Sequence, residues 1–430
     1  MTTPDVPAMR AGKRAPPKLD LSAFAAPPSS SSGPETRRTY PNGILDAHVH
    51  LWTREQLESG EMDWQAGLRQ LSGPHEMEDY RRVVEGGIKL VGGGESKHAG
   101  FVYVQAQARF DEDERDGSRG GWDAALNEVE NVCAAALQSG IHLVALVPWA
   151  PVHHGPAALE HYLPRILACP SLVALTDRLG YSPIKAFRFL LQDCPPGFFH
   201  TEAFVDGFRY LGQRGYGFDM TLDVTHEQTG RTKILEDALV AIERTMREGQ
   251  ESGARTHFIL DHFAKPPLTT DVSHPPRPSY GPYLDGLFQL ALLPHTYLKL
   301  SALLDSTDRM TAQAAFAEFK NGDYKKRRRE GAYERLKARV LSVLEPAIEA
   351  FGDERILVGS DWPMFRATLL REDVVSPSPA HCAAADEAEE AAAWAFEMQL
   401  YLDCLVQLGL DGDAIDRIFE RNARQAYNLQ

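Results

Sequence analysis

The chain has 430 residues, 43% apolar and 24% charged, a globular composition sized for one large α/β domain with insertions or for two ordinary domains. Its net charge of −15 argues against nucleic acid and anionic membrane as partners, although a small anionic substrate could still meet a locally basic pocket. Cys133, Cys169, Cys194, Cys382 and Cys404 are scattered without a C-x-x-C, and no apolar run has membrane-spanning length or the form of a secretory signal, which together suit reduced thiols in a cytoplasmic protein.

Residues 1–41 are rich in Pro, Ser and Ala and include the run Ser29-Ser30-Ser31-Ser32-Gly33-Pro34, the composition of a disordered or draped tail. Residues 42–430 are expected to form one domain. Apolar, β-branched runs predict strands over 44–52, 99–108, 141–150, 184–191, 217–224, 257–263, 296–303 and 355–362. Helical spacing appears between them, over 76–85, 122–139, 156–168, 201–214, 232–251, 281–293 and 333–351. Eight alternating β and α units predict a parallel (β/α)8 TIM barrel. An open doubly wound sheet would need a Gly-rich phosphate turn after its first strand, and Val91-Gly92-Gly93-Gly94 instead follows a helix, as a turn or hinge. Two insertions, 264–280 and 305–331, fall over one rim. The second carries Lys325-Lys326-Arg327-Arg328-Arg329, either a solvated face or a lid that attracts anions. Residues 383–429 read as extra C-terminal helices packed on the barrel's outside.

A barrel's chemistry gathers at the carboxyl ends of its strands, where ionisable groups are costly unless used or paired. Strand one ends in His48 and His50, which alternation places on one face with Asp46 below them as an orienter. With 15 histidines, chance alone supplies about 0.5 such pairs per chain, so the pair needs company. Strand four offers Arg188, inward if Phe187 and Phe189 face the helices; strand six offers Asp261 or His262, which parity leaves undecided. Strand seven offers Lys299 and Ser301, and strand eight Asp361. Asp219, Thr221 and Asp223 share a face of strand five, and His226 lies just beyond it. Polar groups at five strand ends favour a site over satisfied rim residues.

Leu45-Asp46-Ala47-His48-Val49-His50-Leu51-Trp52, Lys185-Ala186-Phe187-Arg188-Phe189, Leu260-Asp261-His262-Phe263-Ala264-Lys265-Pro266, Leu298-Lys299-Leu300-Ser301 and Val358-Gly359-Ser360-Asp361-Trp362-Pro363 stand in an order that resembles the amidohydrolase superfamily. The likeness is to its amidohydrolase-2 branch, which holds 2-pyrone-4,6-dicarboxylate lactonase and the sugar lactonases, and it runs from about residue 42 to 428 with Asn422-Ala423-Arg424 and Tyr427 near its end. The resemblance implies a hydrolytic site of His48, His50, His262 and Asp361, and it chooses His262 over Asp261. It implies a hydrolase that opens a sugar or dicarboxylate lactone, with Asp361 taking the proton from water and returning it to the leaving oxygen. His48, His50 and Asp361, with His262 as a further candidate, would hold one divalent metal, zinc first; in a metal-free mechanism the imidazoles would donate to the carbonyl oxygen directly. A carboxylated lysine on strand four has no candidate, which speaks against two metals. Arg188, His226, Lys265, Trp362, Lys299 and Ser301 are the expected substrate contacts, Arg188 suiting a carboxylate or ring oxygen. The partner is thus a small-molecule lactone, with a homo-oligomer compatible but undetermined. A metal-dependent decarboxylase that uses His226 as a ligand and a barrel that binds without catalysis are the alternatives.

Overall fold

The computed structural model describes residues 38–109, 121–225, 233–249, 255–268, 280–326, 330–370 and 383–429. The expected tail up to residue 37, His226, most of the 264–280 insertion and residues 327–329 of the basic run lie outside the described residues. The last residues of the expected tail belong to the folded part, because the Arg38 guanidinium pairs with Asp416 at 2.6 Å and Asn42 N donates to the same carboxylate at 2.8 Å.

Eight strands follow in order: β1 (Gly43–Val49), β2 (Lys97–Val104), β3 (Leu143–Val147), β4 (Ala186–Leu190), β5 (Gly217–Thr221), β6 (Phe258–Asp261), β7 (Thr296–Leu300) and β8 (Ile356–Val358). They pair in parallel as β1-β2-β3 and β4-β5-β6-β7-β8. Parallel bridges Leu146↔Ile184 and Trp149↔Arg188 join β3 to β4, and Val49↔Trp362 joins the ends of β1 and β8. The (β/α)8 expectation therefore stands, each strand being shorter than its apolar run because the run continues into the loop above.

Residues on the strands divide between two cores, as pleat alternation requires. Leu45, Ala47, Val102, Val104, Ala145, Val147, Ala186, Ile259 and Leu357 pack against one another inside, while Ile44, Val49, Phe101, Phe187, Phe218 and Leu260 pack outward onto the helices. Burying such side chains contributes about 1.5–3 kcal/mol each relative to exposure. At the amino ends of the strands the inner core is capped by Ala423, Ala426 and Tyr427, and the Asn422 amide donates to Ile356 O at 2.6 Å. The C-terminal segment thus differs from expectation. Helix Ala383–Gln407 does pack outside, against helix Met77–Gly87, but the last turns plug the barrel's lower mouth.

Several helices were not anticipated, and two of them are long. Pro170–Leu179 starts at a proline suited to a first turn and buries Leu172 and Leu175. Arg309–Lys320 occupies the front of the expected 305–331 insertion. The Asp308 carboxylate caps it by accepting from Thr311 N at 2.8 Å, and Ala312, Ala315, Phe316 and Phe319 are buried. That stretch is thus a helix with a buried apolar face.

Candidate active site

The site begins with a flaw in the alternation of β1. The register runs Asp46↔Phe101 and then Val49↔Tyr103, so β1 spends one residue more than β2 over that step. Such a bulge turns the following side chains to the other face. Asp46 consequently does not lie under the two imidazoles as alternation predicts. It faces outward, where its carboxylate accepts from Ser360 N at 2.7 Å, Ser360 Oγ at 2.6 Å, Tyr80 Oη at 3.0 Å and Trp394 Nε1 at 3.1 Å. Asp46 therefore fastens the end of β8 to β1. His48 and His50 follow the bulge into the barrel, with Nε2 atoms 3.2 Å apart. Gly359 makes room for this approach, since a Cβ there would lie 2.8 Å from His48 Cβ.

The other corners come from turns that only a few residues tolerate. His262 (φ 56°) and Asp361 (φ 55°) are left-handed, as are Phe263, Ala264, Lys265 and Ala302. Non-glycine residues adopt that region at a cost of order 1–3 kcal/mol and cluster at functional sites. The turn after β6 removes the choice between Asp261 and His262. Asp261 stays on the strand and points into the barrel, while the left-handed step swings His262 in above it. The rings of His262 and His48 lie 4.7 Å apart, and His262 Nδ1 meets Ser301 Oγ at 2.9 Å.

Beneath the histidines lies a floor of buried charge. The Lys299 ammonium, fully enclosed, reaches Asp219 at 2.6 Å, Asp261 at 2.9 Å and His48 Nδ1 at 3.0 Å. Tyr427 Oη donates to Asp219 at 2.8 Å, and Thr221 Oγ1 donates to Asp261 at 2.7 Å. Burial opposes ionisation of both carboxyls. At Asp261 the charge of Lys299, the hydrogen bond of His48 and the charge of Arg188 outweigh it and hold the group well below the usual range, whereas Asp219 is left raised. Lys299 is thus a counterion of the floor and does not touch the cavity, and Ser301 orients His262 from a fully buried position; neither is placed to contact substrate.

Partners fix the imidazole protons. His50 Nδ1 faces Val104 O at 2.8 Å, a group that only accepts, so its proton sits there and Nε2 keeps a lone pair. That lone pair faces Asp361 Oδ1 at 3.2 Å, and Asp361 Oδ1 is buried without a hydrogen-bond partner. His48 Nε2 lies 3.5 Å from the same oxygen. His48 can present either form there: Lys299 donating to Nδ1 leaves a proton on Nε2, while Asp261 Oδ1, 3.3 Å from Nδ1, can take that side's proton and free the Nε2 lone pair. Burial first and Lys299 second push the His48 pKa well below its ordinary value, and burial brings His262 down to about 4, so both are neutral near pH 7. Burial works against the Asp361 carboxylate, yet His262 first, then His50 and His48, hold it below the usual range as they take up protons on acidification, so it is ionised near pH 7. Two imidazoles and an orphaned carboxylate oxygen converging in this way match the donor set of a divalent cation.

Above this cluster opens a cavity of about 330 Å³ whose walls include His50, Gln105, Gln107, Arg188, Gln192, Asp193, Thr221, His262, Lys265, Asp305 and Asp361. Arg188 faces inward as parity predicts. Its Nε donates to Thr221 at 2.8 Å and lies 3.5 Å from Asp261, leaving the guanidinium edge against His50. Lys265 lines the rim and donates to Gln192 at 2.8 Å. Trp362 does not contact the cavity: it is fully buried and packs outward among Tyr80 and His75. Sequence reasoning missed Gln105, Gln107, Asp193 and Asp305, which sit on loops whose shape no periodicity signals. It also missed the pairing of Asp219 with Lys299 across the barrel, although the inward parity of Asp219 was readable.

Residues 252–429 match the model of the amidohydrolase family. The L-rhamnono-gamma-lactonase of Scheffersomyces stipitis is 21% identical over 399 residues, 90% of this chain and 98% of its own length. The L-fucono-1,5-lactonase of Burkholderia multivorans is 25% identical over 49% of this chain and 59% of its own. A crystal structure of an amidohydrolase from Burkholderia multivorans with bound zinc matches the fold with a TM-score of 0.55 at 19% identity, covering 90% of this chain and 99% of that one.

Proposed function

We propose that this chain, which resembles the amidohydrolases in sequence and in fold, is a hydrolase that opens sugar lactones by attack of water at the cluster of His48, His50 and Asp361. The observation that carries the reading is the orphaned, ionised Asp361 oxygen at the base of the cavity, 3.2 Å from a lone pair of His50. The likeness to two sugar lactonases supports the substrate class. So does the cavity wall. Its two cations are already engaged, Arg188 with Asp261 and Lys265 with Gln192, while Gln105, Gln107, Asp193 and Asp305 offer groups that suit hydroxyls better than a second carboxylate.

In this reading Asp361 accepts the proton of the attacking water, a role that requires the ionised state it has near pH 7. His48 and His50, with Asp361, would hold a single divalent cation, zinc first, and His262 stands nearest as a further ligand. Bound there, such a cation would polarise the lactone carbonyl and acidify water. Asp261 is already taken by Lys299, Thr221 and Arg188, which leaves it to orient His48 and not to serve a second metal. Arg188 orients the substrate from the β4 end. No helix among the described residues is long and apolar enough to cross a membrane. The free thiols of Cys133, Cys169, Cys194 and Cys404 fit a cytoplasmic setting.

The test is base consumption at constant pH on a panel of aldonolactones, with Asp361→Asn alongside. Turnover of at least one sugar lactone is expected, falling by about 10²–10⁴-fold in the variant, the span that general acid–base groups contribute, while its melting temperature is kept. Near-normal turnover by Asp361→Asn would end this assignment.

A further inference from the structure

At the carboxyl end of β2 the chain runs through residues 105–109 in no helix or strand, yet each of their backbone N–H groups has a partner. Gln105 N donates to Val147 O at 2.9 Å, Ala106 N and Ala108 N donate to the buried Glu128 carboxylate, and Arg109 N donates to Glu61 O at 2.7 Å. The remaining one, Gln107 N, donates to Gln105 Oε1 at 2.6 Å. A backbone N–H only donates, so the oxygen of the buried Gln105 amide is the atom that faces it, which settles where the nitrogen lies. Gln105 Nε2 donates to Gln107 Oε1 at 3.1 Å, and this fixes the second amide in turn. Gln107 Nε2 is left with no hydrogen-bond partner among the described residues, on a side chain that lines the cavity. Gln107 is also left-handed (φ 61°), a conformation that the bonds on either side of it hold in place. Arg188 Nη1 lies 3.4 Å from Gln105 O and 3.5 Å from His50 Nε2, so a single guanidinium separates this loop from the histidine cluster.

We propose that Gln107 Nε2 is the donor by which the cavity recognises a hydroxyl oxygen of the lactone, with Gln105 as the residue that positions it. The proposal rests on the lactonase reading above, and it turns a general suitability for hydroxyls into one named atom. Orientation is what separates Gln107 from a glutamine on an open surface. A free amide can turn either its oxygen or its nitrogen to a ligand and loses rotamer freedom when it is held. Here the choice is made and the side chain ordered before a substrate arrives, by a pair of amides whose register is set from the backbone N–H of Gln107 itself. The donor is neutral, so it gains nothing from an anionic acceptor that Arg188 or Lys265 would not supply better, and it matches an uncharged oxygen. A hydroxyl that accepts from Gln107 keeps its own proton to donate, and the carboxylates of Asp193 and Asp305 on the same cavity wall are acceptors for such a proton.

A cycle between enzyme and substrate tests this. The aldonolactone that the wild-type enzyme opens fastest is compared with counterparts lacking one hydroxyl at a time, each with wild type and with Gln107→Met, which keeps the length of the side chain and removes its hydrogen bonds. On the full lactone the variant is expected to lose about tenfold in kcat/KM, the scale of one hydrogen bond to a group otherwise left unpaired. On one deoxy counterpart, which wild type itself opens about tenfold less well, the variant should stay within about threefold of wild type. A merely structural role for Gln107 would lower turnover of every substrate alike, so the counterparts also report whether the variant has kept its fold. Equal losses on the full lactone and on all counterparts, or no loss on the full lactone, would overturn the assignment of Gln107 while sparing the lactonase reading. A wild-type enzyme that opened no aldonolactone would overturn both.

Discussion

Lys299→Met should cost this protein a large part of its stability, by an amount that depends on pH in a definite direction. In the native barrel Lys299 and Arg188 balance Asp219 and Asp261, and the ammonium lies 2.6 Å from one carboxylate and 2.9 Å from the other with no solvent access. Methionine keeps nearly the same volume, so the cavity penalty is small. What remains is one surplus buried negative charge, and removing one partner of a buried ion pair costs about 3–5 kcal/mol. That corresponds to roughly two to almost four powers of ten in the unfolding constant. Without the ammonium, burial dominates at Asp219 and its folded-state pKa, already raised, climbs further above the unfolded value of about 3.9. A raised folded pKa contributes stability that is fully present below the unfolded pKa and is lost as pH rises through the folded one. The variant's deficit is therefore largest near neutrality and narrows on acidification, as the carboxyl takes the proton that replaces the missing ammonium. Denaturant unfolding of both proteins at about pH 8 and about pH 5.5 reads the effect directly. A deficit under about 1 kcal/mol, or one equal at the two pH values, would refute the account of the floor as a balanced charge network. Asp219→Asn added to Lys299→Met should recover part of the loss, because it removes the surplus charge.

Other consequences are equally open to measurement. Gly359→Ala brings a Cβ to 2.8 Å from His48 Cβ and 2.9 Å from His48 N, so turnover should fall along with stability by about 1–3 kcal/mol, both visible against an Ala substitution at the unconfined Gly67. Glu128, buried beneath the β2 loop, accepts from Tyr103 Oη, from Ala106 N at 2.5 Å and from Ala108 N at 3.3 Å. Glu128→Gln leaves at least one of those donors unpaired at about 1–3 kcal/mol, and the loosened Gln105–Gln107 wall should raise KM more than it lowers kcat. Dialysis against a chelator, followed by metal analysis and titration with Zn²⁺, should return about one equivalent per chain, reduced in His50→Ala; a return of two would contradict the engagement of Asp261 by Lys299.

Much of the fold was legible because its period is local. Each strand of the barrel announced itself as an apolar β-branched run, and alternation correctly turned Arg188 inward. His48, His50, His262 and Asp361 were legible for a different reason, as an ordered set carrying a family resemblance, and the structure brings those four together. Trp362, by contrast, was misjudged because its neighbours in sequence are site residues while its neighbours in space are Tyr80 and His75.

What the sequence by itself determined about this protein is the list of strands and the polar residues at their ends, since both follow from chemistry repeated every two residues. Tertiary structure alone decided which way those residues point. A one-residue bulge in β1 sends Asp46 outward to hold β8, and a left-handed turn after β6 lets Asp261 and His262 both enter the barrel. Strands distant in sequence then meet, so that Lys299 finds Asp219 across 80 residues and becomes a counterion where its position on a strand had suggested a substrate contact. Those outcomes depend on register shifts, positive φ and the low dielectric of a closed interior, none of which is written in any short stretch of the chain.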